Sequence, residues 1–372
     1  MLTLARRNLL KEKTRLAISV GGVAFAVVLI VLLRGLYLAY ETKVADYYES
    51  MHVGAWVLQR GSADLAFSYS RLPRSMADRL RHIYGVADVI PYSSRHIGFR
   101  LDGKDVTMKI AAFDPARRGS GPGPLAMKSG TRQIDDDEII IDEVFARRHG
   151  VSLGDTLDIK DEKLRVAGIS KGGDMVVFQY GFVTRHRARS LLESKDVVTA
   201  FLLVYDDDAP QGFVEDQVGA MSDGAVMVKS LPEMVTANQR VINEGFLPVL
   251  GVLLTIGFCV GVAVIGLTIY SAVLEHRRDY GILKAVGART GQMLLVVAVQ
   301  ALVSAMAGYA VGVGVSLLAA RGAELWVPQF ITSIQPRDLA LVGVAAVCMG
   351  LIAAVIPLGK IAKVDPAVVF RA

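Results

Sequence analysis

Cysteine is scarce in this sequence. Only two cysteines, Cys259 and Cys348, occur among the 372 residues, and both fall in long apolar stretches. The polar part of the chain therefore has no disulfide and must fold by packing alone, which excludes a disulfide-rich scaffold. We interpret each cysteine as a small apolar residue of a membrane helix.

Motifs for catalysis and nucleotide binding are also missing. The sequence has no Gly-x4-Gly-Lys-Ser/Thr phosphate loop, no Gly-x-Ser-x-Gly nucleophile elbow and no His-x3-His metal spacing. We therefore predict no catalytic residue, no metal site and no cofactor in this chain. If ATP and Mg²⁺ drive the protein, they are bound by a partner ATPase.

Four long stretches contain no acidic or basic residue, namely Leu16–Leu33, Phe246–Leu274, Thr290–Ala320 and Leu339–Gly359. Because about 20 apolar residues cross the hydrocarbon core, each predicts a transmembrane helix. The first could be a signal peptide, but it is longer than the usual apolar core of about 7–15 residues, which favours an uncleaved anchor. The missing carboxylates disfavour an ion-coupled transporter, since coupling needs a site for the driving ion.

The predicted fold class is a membrane α-helical protein with four transmembrane helices and an α+β extracytoplasmic domain inserted between helices 1 and 2. The insert alternates β-patterned and helical runs. The predicted segments are a cytoplasmic amphipathic N-terminal helix (1–15), transmembrane helix 1 (16–37), the extracytoplasmic domain (38–229), a stalk with transmembrane helix 2 (230–274), a cytoplasmic coupling loop (275–289), transmembrane helix 3 (290–320), an extracytoplasmic loop (321–338), transmembrane helix 4 (339–359) and a cytoplasmic tail (360–372).

Within the insert, periodicity predicts helices over Pro73–Tyr84, Asp142–His149 and Phe182–Glu193, and a helix over Ser230–Glu244 that continues into transmembrane helix 2. The strands are predicted at Val53–Leu58, Val86–Pro91, Ile97–Leu101, Val106–Phe113, Glu138–Ile141, Thr156–Ile159, Leu164–Ile169 and Ala200–Tyr205.

Charge in the short loops predicts the orientation. Segments 1–15, 275–289 and 360–372 together hold twelve Lys and Arg, whereas loop 321–338 holds two. Because basic loops stay in the cytoplasm, both termini of this multi-pass membrane protein are predicted to be cytoplasmic. The net charge of +5 is explained by this asymmetry, so we predict no nucleic-acid partner.

Glycines recur at four-residue spacing in two of the predicted membrane helices, as Gly257-x3-Gly261 and Gly308-x3-Gly312. Small residues at this spacing let helix backbones approach closely, so we predict helix packing at these positions. The alternative is that glycine is simply common in membrane helices. Four helices are few for a translocation route, which favours a dimer.

The segment after the second apolar stretch reads Glu-His-Arg-Arg-Asp-Tyr-Gly-Ile-Leu-Lys-Ala-Val-Gly-Ala from residue 275. Its pattern predicts a short amphipathic helix, with Tyr280 and Leu283 on one face and a terminating glycine at 287. The alternative is a basic loop that only follows the positive-inside rule.

This segment resembles the cytoplasmic coupling segment of FtsX/MacB-type ABC permeases. The start of the chain, Leu4–Arg15, and the end, Pro357–Ala367, are similar to the amphipathic helix and closing signature of that family, and Ile139–Ile169 is similar to a recurring segment of its outer domain. The resemblance implies contact with an ATPase through Glu275, Arg277, Arg278, Asp279, Tyr280, Gly281, Leu283, Lys284 and Gly287.

The absence of a fused ATPase implies the split arrangement of DevC-like permeases. The implied partners are a separate ABC ATPase dimer, a second permease copy in a homodimer, an extracytoplasmic adaptor protein and membrane lipids. The implied location is the bacterial inner (plasma) membrane. The implied function is export of a lipophilic, lipid-linked, drug or peptide substrate, driven by closure of the ATPase. The alternative is a non-transporting mechanotransmission permease that regulates an extracytoplasmic cell-wall hydrolase.

Overall fold

The computed structural model describes residues 13–175, 177–206, 209, 211–276, 278, 281–282, 290–326 and 332–355. The chain divides into two compact units. One, the membrane unit, comprises Met1–Ala39 and Phe246–Ala372, and the other, the inserted domain, comprises Tyr40–Gly245.

The described residues form eight helices and thirteen strands. The helices are α1 (Lys13–Glu49), α2 (Met76–Arg81), α3 (Glu143–His149), α4 (Arg185–Leu191), α5 (Gln211–Met221), α6 (Leu231–Glu275), α7 (Thr290–Trp326) and α8 (Pro336–Val355). The strands are β1 (Ala55–Gln59), β2 (Leu72–Pro73), β3 (Val86–Tyr92), β4 (Ser94–Leu101), β5 (Lys104–Phe113), β6 (Ala126–Gly130), β7 (Glu138–Asp142), β8 (Thr156–Ile159), β9 (Glu162–Lys171), β10 (Tyr180–Thr184), β11 (Val197–Val198), β12 (Ala200–Tyr205) and β13 (Val226–Ser230).

Helices α1, α6, α7 and α8 are long and apolar enough to cross a membrane, with peak mean hydropathies of 2.9, 2.6, 2.1 and 2.3. The predicted number and order of membrane helices are therefore confirmed. In α8 the buried residues recur at intervals of three and four, so one face packs on the other helices. These residues are Val342, Ala346, Met349, Gly350, Ala353 and Ala354.

The inserted domain is α+β, as predicted. A four-stranded antiparallel sheet has the order β13-β1-β12-β3. A seven-stranded mixed sheet has the order β4-β5-β10-β7-β9-β6, with β8 paired to β9. Within the second sheet, β5–β10 and β7–β9 are parallel pairs. Its central strands are buried throughout, which agrees with their continuous apolar runs.

The helix predicted over Phe182–Glu193 is wrong in its first residues. Phe182 and Val183 belong to β10, because this segment pairs with β5 on one side and β7 on the other. Pairing at the centre of a sheet overrides local helical periodicity. The helix starts only after Thr184, whose hydroxyl accepts a hydrogen bond from the Arg187 backbone N–H at 3.1 Å. Strands β2, β6, β11 and β13 and helix α5 were not predicted.

The helix predicted to start at Ser230 is confirmed, with α6 beginning at Leu231. Glu233 accepts hydrogen bonds from both the backbone N–H and the hydroxyl of Ser230 at 2.9 Å, which satisfies a free donor at the helix start. Residues of α6 up to Gly245 belong to the inserted domain. The predicted stalk therefore packs with the domain that precedes it in the chain.

Candidate functional site

The predicted coupling segment follows the C-terminal end of α6. Glu275 is the last residue of that helix, and its carboxylate forms an ion pair with Arg15 of α1. Arg278 is exposed, Gly281 is buried, and Ile282 is 45% exposed. The described part of the segment thus presents both a charge and an apolar side chain to its surroundings.

Much of the rest of this region lies outside the described residues. This applies to the predicted coupling residues Arg277, Asp279, Tyr280, Leu283, Lys284 and Gly287, to residues 1–12 of the N-terminal segment and to the tail 360–372. Their roles stay predictions.

The ion pair between Arg15 and Glu275 was not predicted, because 260 residues separate its members and neither carries a local signal. The resemblance assigned Glu275 to an ATPase, whereas the structure gives its carboxylate a partner in the same chain. Both side chains are partly exposed, so the pair contributes about 0–1 kcal/mol. It joins the end of α6 to α1 beside the predicted coupling segment.

Helix α7 lies against α1 at a separation that suits glycine. A Cβ atom added at Gly308 would lie 2.5 Å from Cβ of Val23, and one at Gly312 would lie 2.7 Å from Cβ of Val27. Both distances are shorter than real Cβ contacts, so any larger residue requires the two helices to separate.

The other predicted packing glycines meet different partners. A Cβ at Gly257 would lie 3.2 Å from Cδ2 of Leu29, and one at Gly261 would lie 2.8 Å from Sδ of Met349. The flexible methionine can move aside, so Gly261 is less strictly required than Gly308.

Sequence reasoning missed Gly22 of α1, where an added Cβ would lie 2.5 Å from Cγ1 of Val264. The spacing Gly22-x3-Ala26 would have indicated this packing position if alanine had been counted among the small residues.

The inserted domain contains a buried lysine. Lys109 of β5 is 2% exposed, and its ammonium donates hydrogen bonds to the carbonyl oxygens of Leu65 and Ala66, the latter at 2.8 Å. Burial lowers the pKa of Lys109 to about 7, and nearby Asp64 opposes this change. The ammonium also lies 5.1 Å from the ring centroid of Phe178. Lys109 thus holds the loop that contains Leu65.

The same loop is held from its other side by Asn238 of α6, which is 1% exposed. Its side-chain oxygen accepts hydrogen bonds from the backbone N–H groups of Leu65 at 3.1 Å and Ala66 at 3.0 Å, and from the hydroxyl of Tyr48 at 2.9 Å. Its amide nitrogen donates to the Met234 carbonyl at 2.8 Å. This one amide therefore joins α1, the loop and α6 within the inserted domain.

Next to this loop is a cavity of about 430 Å³. Its lining comes from segments 65–71, 93–96, 192–194 and 197–199, together with Lys109. Among the described residues, no three His, Cys, Asp or Glu side chains are grouped to hold a metal ion.

Two family models match this chain. The MacB-like periplasmic core domain matches residues 16–220, and the FtsX-like permease C-terminal domain matches residues 251–366. The first match covers more than half of the chain and contains most of α1 and most of the inserted domain. The second contains α7, α8 and the predicted coupling segment.

Similar proteins agree with these matches. An uncharacterized ABC transporter permease of Mycobacterium tuberculosis is 26% identical over 376 residues, which cover 100% of this chain and 99% of that protein. A second such permease, from Mycobacterium bovis, is 25% identical over 377 residues, with the same coverage. The macrolide export ATP-binding/permease protein MacB of Shigella boydii is 30% identical over 106 residues, which cover 28% of this chain and 16% of MacB.

Among solved structures, the periplasmic region of MacB from Actinobacillus actinomycetemcomitans aligns with 54% of this chain and 98% of its own, at a TM-score of 0.38 and 13% identity. From the two family matches and the full-length relatives, we conclude that the chain belongs to the MacB/FtsX type of ABC transporter permeases.

Proposed function

We propose that this permease is one subunit of an exporter whose ATPase is a separate chain, and that it passes ATP-driven closure of that ATPase to the inserted domain. The substrate is a lipophilic, lipid-linked, drug or peptide molecule. A permease relative supports the split arrangement, because the alignment with this chain covers 99% of its length and leaves no room in it for a fused ATPase. The longer protein named as ATP-binding and permease in one chain aligns over 16% of its length.

Helix α6 is the observation that carries this proposal. It is continuous from Leu231, where it follows the last strand of the inserted domain, to Glu275 at the start of the coupling segment. Pro248 lies inside this helix and removes one backbone hydrogen bond, while the turns on either side of it bond internally. In the proposed scheme, displacement of the C-terminal end is passed along this helix to the residues that Asn238 holds. ATP and Mg²⁺ act through the partner ATPase in this scheme.

The orientation belongs to the same proposal, with both termini and the coupling segment in the cytoplasm and the inserted domain outside. Single cysteines are introduced at the exposed positions Lys195 and Arg278 of a variant that lacks Cys259 and Cys348. In intact cells, an impermeant thiol reagent labels the cysteine at 195 and not the one at 278. The reverse pattern would refute the orientation.

The test of coupling uses Leu283, which the amphipathic pattern places on the apolar face of the coupling segment. The exposed neighbour Ile282 is consistent with an apolar contact at this point. Leu283→Asp places an unpaired carboxylate in such a contact, at a cost of several kcal/mol, which is enough to remove a hot spot. We expect the variant to lose capture of the ATPase and stimulation of its ATP hydrolysis, at equal membrane abundance.

Two controls accompany this variant. Leu283→Met retains the apolar side chain and leaves both readouts near those of the parent protein. Arg278→Ala removes an exposed charge, so its effect is smaller and depends on salt. If Leu283→Asp binds and stimulates the ATPase as well as Leu283→Met does, the segment is only a basic loop and the proposed coupling is wrong.

A further inference from the structure

The cavity in the inserted domain has the size of a small-molecule site. Its volume of about 430 Å³ falls within the usual range for such pockets, about 300–1,000 Å³. One wall is the loop 65–71, and the other includes the start of β4 and residues 192–194 and 197–199. These segments are far apart in the sequence, so the cavity exists only in the folded domain.

One side of the cavity suits a ring or another apolar group. The ring of Phe67 stacks on His96 with centroids 5.7 Å apart and planes at 9°, and Phe67 remains 41% exposed. The buried side chains of Leu192 and Val198 also line the space. A flat apolar group can therefore be covered there without displacing a charged side chain.

The mouth carries an excess of positive charge. Arg71 and Arg95 are both exposed, and the described residues place no carboxylate within ion-pair distance of Arg71. Arg95 lies 3.6 Å from the carboxylate of Glu193, which also accepts a hydrogen bond from Lys160 at 2.8 Å. An adjoining depression of about 290 Å³ is lined by two further cations, Arg189 and Lys195, and one further acid, Asp196. Guanidinium groups favour carboxylate and phosphate oxygens.

The floor of the cavity is fixed before any ligand binds. The carbonyl of Ala66 accepts hydrogen bonds from Lys109 at 2.8 Å and from the His96 ring nitrogen at 2.7 Å. The carboxylate of Asp64 accepts hydrogen bonds from the backbone N–H of Phe67 at 2.6 Å and from the hydroxyl of Ser68 at 2.6 Å. A site held in this way loses little conformational entropy when a ligand enters.

We infer that this cavity binds a small amphiphile with one anionic headgroup, which Arg71 and Arg95 hold at the mouth while the apolar body packs against Phe67. The shared chemistry is a phosphate or carboxylate joined to an apolar group. The inference does not rest on the proposed function, because it concerns binding by the chain alone. A failure of ATPase coupling leaves it intact, and its own failure leaves the coupling proposal intact.

The test is calorimetric titration of the full chain in lipid nanodiscs with phenyl phosphate, a water-soluble probe that has both features. Inorganic phosphate and phenyl glucoside are titrated separately, since each carries only one of the two features. We expect phenyl phosphate to bind about tenfold more tightly than either of them. Arg71→Gln weakens its binding by about tenfold and reduces the dependence of binding on salt, and Phe67→Ala weakens binding with the salt dependence unchanged.

Arg147→Gln is the matched control, because Arg147 is an exposed arginine outside the cavity lining. It leaves binding unchanged. The inference is overturned if phenyl phosphate shows no saturable binding up to about 10 mM. It is also overturned if inorganic phosphate binds equally well, or if Arg147→Gln weakens binding as much as Arg71→Gln does. Arg95→Gln repeats the test at the second exposed arginine.

Discussion

Replacing Asn238 by leucine tests whether a single amide holds the inserted domain together. The leucine leaves three polar groups without their acceptor, namely the N–H groups of Leu65 and Ala66 and the hydroxyl of Tyr48. An unsatisfied buried group costs about 1–3 kcal/mol, so the loss is about 3 kcal/mol at the least. For a domain of this size, 1 kcal/mol corresponds to about 2–4 °C in Tm. We therefore expect Tm to fall by at least about 6 °C.

The assay follows fluorescence of the fully buried Trp56 during heating of the full chain in micelles. Gln239→Leu is the control from the next position of the same helix. The Gln239 side chain donates one hydrogen bond to the Glu41 carbonyl at 3.0 Å and is half-buried, so its loss costs about 1 kcal/mol. Equal shifts for the two variants would refute the central role of Asn238.

Two further predictions concern packing and pH. Gly308→Ala places a Cβ atom 2.5 Å from Val23 and lowers the thermal stability of the full chain by about 1–3 kcal/mol, whereas Gly314→Ala, where the space is open, is neutral or slightly stabilising. Lys109 has a pKa of about 7 in the folded domain and 10.5 in the unfolded chain. Between these two pH values the unfolded chain keeps a proton that the folded domain has released, so the free energy of unfolding rises with pH. The measurement is the free energy of unfolding from chemical denaturation at about pH 7 and pH 9. Lys109→Met reduces the difference between the two values, because it removes the lysine and keeps Asp64 and His96, the charged and titratable neighbours of Lys109. An unchanged slope for Lys109→Met would contradict the assignment.

The membrane helices could be predicted because their signal is local, in runs of about 20 residues without charge. Strand β10 could not, because its position depends on pairing with β5, about 70 residues away, and with β7, about 40 residues away. Gly308 and Gly312 were found by their spacing, but only the structure identifies Val23 and Val27 as their neighbours.

The cavity and Asn238 had no signal in the sequence. The lining of the cavity comes from separate parts of the chain, and an asparagine inside a helical pattern usually indicates a solvent-exposed position. Its burial follows from the loop that folds over α6, which no local pattern of the sequence describes.

The two ends of the inserted domain are close neighbours, because Tyr48 near its start and Gln239 near its end bond across to Asn238 and Glu41. A domain whose entry and exit are adjacent can be exchanged as a cassette, since its replacement does not change the spacing of the chain on either side. This allows the inserted domain to diversify over evolution while the membrane unit is kept. A chimera should therefore exchange the whole of residues 40–245. An exchanged segment of 50–229 would lack the residues at the two ends that bond to each other.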